Sequence, residues 1–228
     1  MSSTASQRTD LAPATAAGWA RLRGRLESDG ALSAREKALV LAAVAADRGR
    51  DALLGRELAR LAELGGSEMV ASCASVLALS RGREAADRLA DGAGVSLDWA
   101  ASSPVPASGE EILRAREYFV PPPAAPPPPF ALLAEHVPDV LVGYRELRVG
   151  LYDEGSLEPK LVELTLFAVS AADYLPGHAA VHGAKAIAAG AGEADLVEAG
   201  LCAIPAAGMA AWLFAATTID ELATKGQQ

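Results

Sequence analysis

Aromatic residues and long hydrophobic runs are both scarce in this chain of 228 residues. Only 5% of the residues are Phe, Trp or Tyr, although 51% are hydrophobic. This combination favours helices packed through Ala and Leu, because strands are enriched in aromatic and β-branched residues. No uninterrupted apolar run reaches the roughly 18 residues that a membrane-spanning helix needs. The N-terminus lacks a signal-peptide pattern, so we expect an all-α protein of the cytoplasm with no membrane partner.

Basic residues are outnumbered by acidic ones. The chain has 20 Lys and Arg against 29 Asp and Glu, a net charge of −9 at pH 7. Proteins that bind nucleic acids present clustered basic residues to the phosphates, whereas the arginines here are interleaved with Asp and Glu. We therefore expect no nucleic-acid partner and assign the charge to solubility.

Cysteine is rare, and neither Cys73 nor Cys202 belongs to a Cys-x-x-Cys motif. Each lies alone in a predicted helix, as is typical of buried free thiols. A thiol peroxidase needs a thiolate of low pKa and a second cysteine that resolves the oxidised form. Neither cysteine has neighbours that provide these, so the sequence argues against thiol chemistry.

Most of the chemically useful residues lie between Leu157 and Gly190. Glu163 interrupts the apolar run LVELTLFAV, and a carboxylate in a segment bound for the core needs a partner. His178 and His182 are available. Pro176 is suited to the first turn of the next helix, and a spacing of four residues puts both imidazoles on one face of it.

The spacing of these residues resembles that of the alkylhydroperoxidase D and carboxymuconolactone decarboxylase superfamily. Glu163, His182, Ala186 and Gly190 fall on four of the superfamily's motif positions, and its two cysteine positions hold Leu175 and His178. The resemblance extends over about residues 127 to 221 and implies a helical bundle of the alkylhydroperoxidase D type. It is closest to the cysteine-less decarboxylase branch, which keeps a histidine at the position of His182.

The first half of the chain looks like a degenerate copy of the second. An offset of 125 residues aligns Leu32, Leu39, Gly65 and Glu68 with Leu157, Leu164, Gly190 and Glu193. The chemistry is not copied: Ala38 falls on Glu163, and Arg56 or Glu57 falls near His182. We therefore expect two related helical half-domains, of which the first carries no site.

Four segments follow from these patterns. We expect a disordered N-terminus over residues 1–12, a degenerate helical repeat over 13–100, a linker over 101–129 and the decarboxylase-like domain over 130–228. The linker contains a short helix, opened by Ser108 and Glu111, and then seven prolines between positions 121 and 129. Such a tract favours polyproline II and excludes a helix there.

The site allows several functions. The first is acid–base catalysis without a cofactor on a small organic acid or carbonyl compound, by decarboxylation, lactone opening or isomerisation. In this interpretation, His182, Glu163 and His178 are the catalytic residues and no metal is bound. The alternatives are a divalent-metal site of the same three residues, a peroxidase as in the cysteine-bearing branch, an oligomeric scaffold without activity, and a buried Glu–His pair that only holds two helices together.

The helix before the site carries further polar residues. Tyr144, Arg145 and Arg148 lie on successive turns, and a solvated helix face is the role expected of both arginines. His136 stands beside Pro138, as surface or capping residues do. The Ala-rich helices and the apolar C-terminal segment leave hydrophobic surface for a homo-oligomer, which the resemblance implies is a trimer or a hexamer.

Overall fold

In the computed structural model, residues 10–99, 106–119 and 127–225 are described, and they form helices but no strand. The all-α prediction is thereby confirmed. No helix in these residues is both long and apolar enough to cross a bilayer. In chain order the described helices are α1 Pro13–Glu27, α2 Ala34–Asp47, α3 Asp51–Glu63, α4 Met69–Arg81, α5 Arg83–Gly92, α6 Gly109–Phe119, α7 Pro128–His136, α8 Pro138–Tyr152, α9 Pro159–Ala172, α10 Pro176–Ala188, α11 Glu193–Leu201, α12 Ile204–Ala207 and α13 Met209–Lys225.

The helices α2 and α9 form the centre of the molecule. Every residue from Lys37 to Ala46 in α2 is buried, as is every residue from Leu161 to Ala172 in α9. Both segments are apolar on nearly every face, and a helix of that kind is stable only when it is covered on all sides. They pack against each other, while α3 packs on α2 and α10 packs on α9. A capping box of Ser33 and Glu36 opens α2.

The helices of the first half recur in the second half at a constant offset of 125 residues. The first residues of α1, α2 and α3 are 13, 34 and 51, and those of α8, α9 and α10 are 138, 159 and 176. The lengths also agree within each pair, at 15, 14 and 13 residues. This regularity favours the predicted internal repeat. The limits of the two domains, 13–100 and 130–228, remain predictions.

Backbone conformation follows the same offset. Gly49 has φ 61° and Tyr174, 125 residues later, has φ 56°; Gly65 and Gly190 form a second such pair with φ 68° and 94°. A left-handed tyrosine is uncommon, because its Cβ crowds the backbone. Its side chain is held in place, since the Tyr174 hydroxyl donates to the carbonyl of Ala207 at 3.1 Å. This left-handed turn fixes the direction in which α10 leaves α9.

A second, smaller apolar cluster joins α6, α7 and α8 and includes Ala115, Leu141 and Val142. Phe119 stacks on Phe130 at 4.5 Å and on Tyr144 at 5.0 Å between ring centroids. The predicted short helix of the linker therefore exists as α6 and packs on α8.

The proline tract is described only from Pro127 onward, and the predicted disordered N-terminus only from Asp10. Pro127 has φ −52° and ψ 145°, which is close to polyproline II. Pro128 and Pro129, in contrast, form the first turn of α7, so the prediction that the tract excludes a helix is wrong for these two residues. The first N–H groups of a helix have no partner within it, and proline therefore costs nothing there.

Candidate functional site

Glu163 lies just beyond the first turn of α9 and is 4% exposed. Its carboxylate oxygen Oε2 lies 2.7 Å from Nδ1 of His182 on α10. The contact between these two residues that the sequence predicts is therefore present. The His182 side chain keeps 18% of its surface exposed, so the pair can be reached from the imidazole side.

Gly183 allows α10 to approach its neighbours closely enough for this contact. A Cβ added at Gly183 would lie 2.6 Å from Leu222 Cδ1 and 3.5 Å from Phe167 Cδ2. Phe167 belongs to α9, one turn beyond Glu163. A larger residue at 183 would therefore displace the Leu222 side chain of α13, which packs on α10 at this point.

Tyr152, the last residue of α8, is the second partner of Glu163. Its hydroxyl donates to Oε1 of Glu163 at 2.6 Å, so both carboxylate oxygens are occupied. Tyr152 is not among the residues predicted from the sequence. The signal for it in the sequence is its position four residues after Arg148, on the same face of α8.

These contacts fix the protonation of the site. Burial by itself raises the pKa of Glu163, but hydrogen bonds from His182 and Tyr152 more than offset this, and the pKa lies below its ordinary 4.5. Burial raises the pKa of Tyr152, and its bond to Glu163 raises it further, so the phenol keeps its proton. Glu163 is thus ionised at neutral pH and accepts from both partners. An ionised carboxylate can only accept, so Nδ1 of His182 carries the proton in that bond, and Nε2 is the ring nitrogen that Glu163 leaves unengaged.

His178 lies one turn before His182 on α10 and is exposed. The two imidazole centroids are 6.5 Å apart and the rings are inclined by 74°. Nδ1 of His182 is already engaged by Glu163. Among the described residues, no group of three or more His, Cys, Asp or Glu side chains has an arrangement that could hold a metal ion. The geometry thus brings Glu163 and His182 together and leaves His178 at the periphery.

Two arginines of α8 border the site. Arg148 Cζ lies 4.7 Å from the ring centroid of Tyr152 and 5.9 Å from that of Tyr118, and Arg145 Cζ lies 5.7 Å from the Tyr118 ring. Both side chains are half-buried, and the Nε of each is buried without a hydrogen-bond partner. The expectation of a solvated helix face was therefore wrong. The sequence could not show that α6 places Tyr118 over these guanidinium groups.

The remaining candidates lie away from this site. His136 is exposed at the end of α7 and lies 4.0 Å from Glu135. Cys73 and Cys202 are both buried free thiols, as the sequence predicts, and burial raises the pKa of each to about 12. Such thiols stay protonated at physiological pH and cannot act as nucleophiles.

Comparison with known proteins agrees with this geometry. The model of the carboxymuconolactone decarboxylase family matches residues 138–221, which run from the first residue of α8 into α13 and include Tyr152, Glu163 and His182. A search of curated proteins found no match to the chain. The helical architecture, the matched segment and the spacing of Glu163 and His182 agree, and residues 138–221 are accordingly similar to the carboxymuconolactone decarboxylase family.

Proposed function

We propose that this protein is a cofactor-free enzyme that uses the Glu163–His182 pair for acid–base catalysis on a small organic acid. The observation that carries the proposal is the hydrogen-bonded chain from the Tyr152 hydroxyl through Glu163 to Nδ1 of His182. A carboxylate bound at Nδ1 fixes the tautomer, raises the basicity of Nε2 and stabilises the imidazolium that forms after proton transfer. A pair that only held two helices together would not need the second donor, Tyr152.

Isomerisation and decarboxylation both need proton transfer at a carbon atom. In an isomerisation, Nε2 of His182 removes a proton from a carbon next to a carbonyl and returns it at another carbon. In a decarboxylation, the electron pair of the breaking bond stays on carbon as CO₂ leaves, and the imidazolium supplies the proton that replaces CO₂. Glu163 remains ionised in both, since its low pKa makes it a poor proton donor.

Arg145 and Arg148 support an acid as the substrate. In the part of the chain that the structure describes, neither forms an ion pair, and each has a buried Nε without a partner. A buried donor without a partner is costly, and guanidinium groups bind carboxylates in a bidentate way. Because Arg148 stacks on Tyr152, a carboxylate bound to it would lie beside the Glu163–His182 pair.

A panel of keto, unsaturated and lactone acids, each paired with its methyl ester, tests the proposal. Incubation in D₂O with NMR detection should show deuterium at carbon or loss of CO₂ for one or more acids and not for the esters. Arg148→Gln should raise KM at least tenfold, while the exposed Arg114 of α6 offers Arg114→Gln as a control without effect. Turnover should survive a chelator. A panel without any exchange or turnover, or equal use of acid and ester, would contradict the proposal.

The alternatives fit these observations less well. A peroxidase of the alkylhydroperoxidase type needs a reactive thiol, and both cysteines are buried with raised pKa. In a metal site of Glu163, His178 and His182, all three side chains would have to face one ion. Nδ1 of His182 faces Glu163 instead, and His178 is exposed one turn away. An inactive scaffold leaves the buried Tyr152–Glu163–His182 chain without a role.

We also propose that the protein forms a homo-oligomer, a trimer or a hexamer. Large apolar side chains are exposed on α10 and α13, two helices that pack against each other: Val181, Ile187, Met209 and Leu213. Such residues are usually covered by a partner when they cluster. Light scattering at micromolar concentration should give three or six times the chain mass of 23.3 kDa. A particle with the mass of a single chain would refute the oligomer.

A further inference from the structure

A cavity of about 720 Å³ lies between α1 and α3 in the first half of the molecule, with Pro205 of α12 at its border. Neither Glu163 nor His182 lines it. Its volume falls in the range of small-molecule sites, roughly 300–1,000 Å³. The walls are mainly apolar and include Trp19, Leu22 and Leu53.

The cavity occupies the place in the first half that the candidate site occupies in the second. Its lining residues Arg23 and Glu27 on α1 stand 125 residues before Arg148 and Tyr152 on α8. Glu57 on α3, also in the lining, stands 125 residues before His182 on α10. The same offset of 125 residues therefore relates all three pairs.

The groups that move protons in the second half are absent from this counterpart. Ala38 stands in place of Glu163, and Glu57 replaces the histidine. Glu57 is buried and engaged by two arginines: Arg56 Nε lies 3.2 Å from Oε1 and Arg60 Nε lies 2.9 Å from Oε2. Both oxygens of this carboxylate are already engaged and no histidine lines the cavity, so the cavity is suited to binding and not to acid–base catalysis.

The charge of the lining indicates which ligand fits. Four arginines and three carboxylates line the cavity, a positive excess in a chain whose net charge is −9. Arg50 is exposed at the start of α3. Its Nε donates to the carbonyl of Ala206 at 3.3 Å, and it forms no ion pair with any described residue. Its terminal nitrogens are free to bind an anion, while Trp19, 46% exposed, offers an aromatic face.

We propose that this cavity is a second, non-catalytic binding site for a small apolar organic anion, a hydrocarbon or aromatic body with one carboxylate or sulfonate. The apolar walls of α1 and α3 hold the body, and Arg50 holds the anionic group. The site is independent of the activity proposed for Glu163 and His182.

Two fluorescent probes with the same aromatic body test this site. The probe 1-anilinonaphthalene-8-sulfonate carries an anionic group and N-phenyl-1-naphthylamine does not. The purified protein should bind one sulfonate probe per chain at this cavity. Arg50→Gln should weaken the sulfonate at least tenfold and the neutral probe less than twofold. Ala52→Phe, which fills the cavity, should weaken both at least tenfold.

Matched controls separate this site from other surfaces. Arg21→Gln on α1 and Ala59→Phe on α3 change exposed residues outside the lining and should leave both affinities unchanged. His182→Ala should also leave them unchanged, since it lies in the other half. The proposal is overturned if Arg50→Gln and Ala52→Phe, with wild-type circular dichroism, bind the sulfonate probe as wild type does, or if His182→Ala abolishes binding.

Discussion

Turnover should be lost in His182→Ala while helix content and oligomer size stay at the wild-type level. His182 keeps one ring nitrogen, Nε2, that Glu163 does not engage, and its side chain is 18% exposed, so its truncation should remove the proton-transfer group without unfolding α10. Circular dichroism and light scattering measure the structural part. Steady-state kinetics on the acid found in the panel measures the catalytic part.

The variants Glu163→Gln and His178→Ala measure how much the neighbours of His182 contribute to turnover. An amide at 163 keeps the shape but removes the charge that stabilises the imidazolium, so turnover should fall by about 10²–10⁴, the range of a positioned acid–base group. His178→Ala changes an exposed histidine on the same helix that makes no contact with Glu163 and should have a smaller effect. Unchanged activity in His182→Ala refutes the proposed role, and equal losses in His178→Ala and His182→Ala would point to a metal instead.

Lys37→Met should cost about 3–5 kcal/mol of unfolding free energy, the largest loss expected from a change outside the site. Lys37 is fully buried in α2, and its Nζ bonds to Glu198 Oε2 of α11 at 3.1 Å and to the carbonyl of Arg25 at 3.0 Å. Glu198 also accepts from the N–H of Leu32 at 3.0 Å. Burial by itself raises the pKa of Glu198, but the hydrogen bonds from Leu32 and Lys37 lower it by more. The pKa therefore lies below its ordinary 4.5, and the carboxylate is charged at neutral pH. Removal of Lys37 leaves this buried carboxylate with the half-exposed Arg25 as its remaining cationic partner.

Urea unfolding measures this loss, and a second lysine gives the control. Lys160 pairs with Asp195 at 3.2 Å, but its side chain is 32% exposed, so Lys160→Met should cost about 0–1 kcal/mol. The double variant Lys37→Met with Glu198→Leu should recover part of the loss, because it removes both buried charges. Recovery is incomplete, since the N–H of Leu32 then loses its acceptor. A loss below 1 kcal/mol in Lys37→Met would show that the pair contributes little.

The sequence by itself determined the helical class and the pair at the site. Scarce aromatic residues, Ala- and Leu-rich runs and the Ser33–Glu36 capping box are local properties, and helices form through local contacts. Glu163 and His182 were identified for the same reason: a carboxylate in an apolar helix needs a partner, and the next helix offers two histidines. The offset of 125 residues was visible because the two halves share the spacing of Leu and Gly residues even where their other side chains differ.

Only the tertiary structure decided what surrounds that pair. Tyr152 reaches Glu163 because of the angle at which α8 meets α9, and no spacing within either helix encodes that angle. The sequence predicted a solvated helix face for Arg145 and Arg148. In the structure, Tyr118 of α6 lies over both guanidinium groups. Lys37 is buried because it pairs with Glu198, which is 161 residues away in the sequence. Charged side chains pair over short distances in space, and their burial depends on helices that pack from distant parts of the chain.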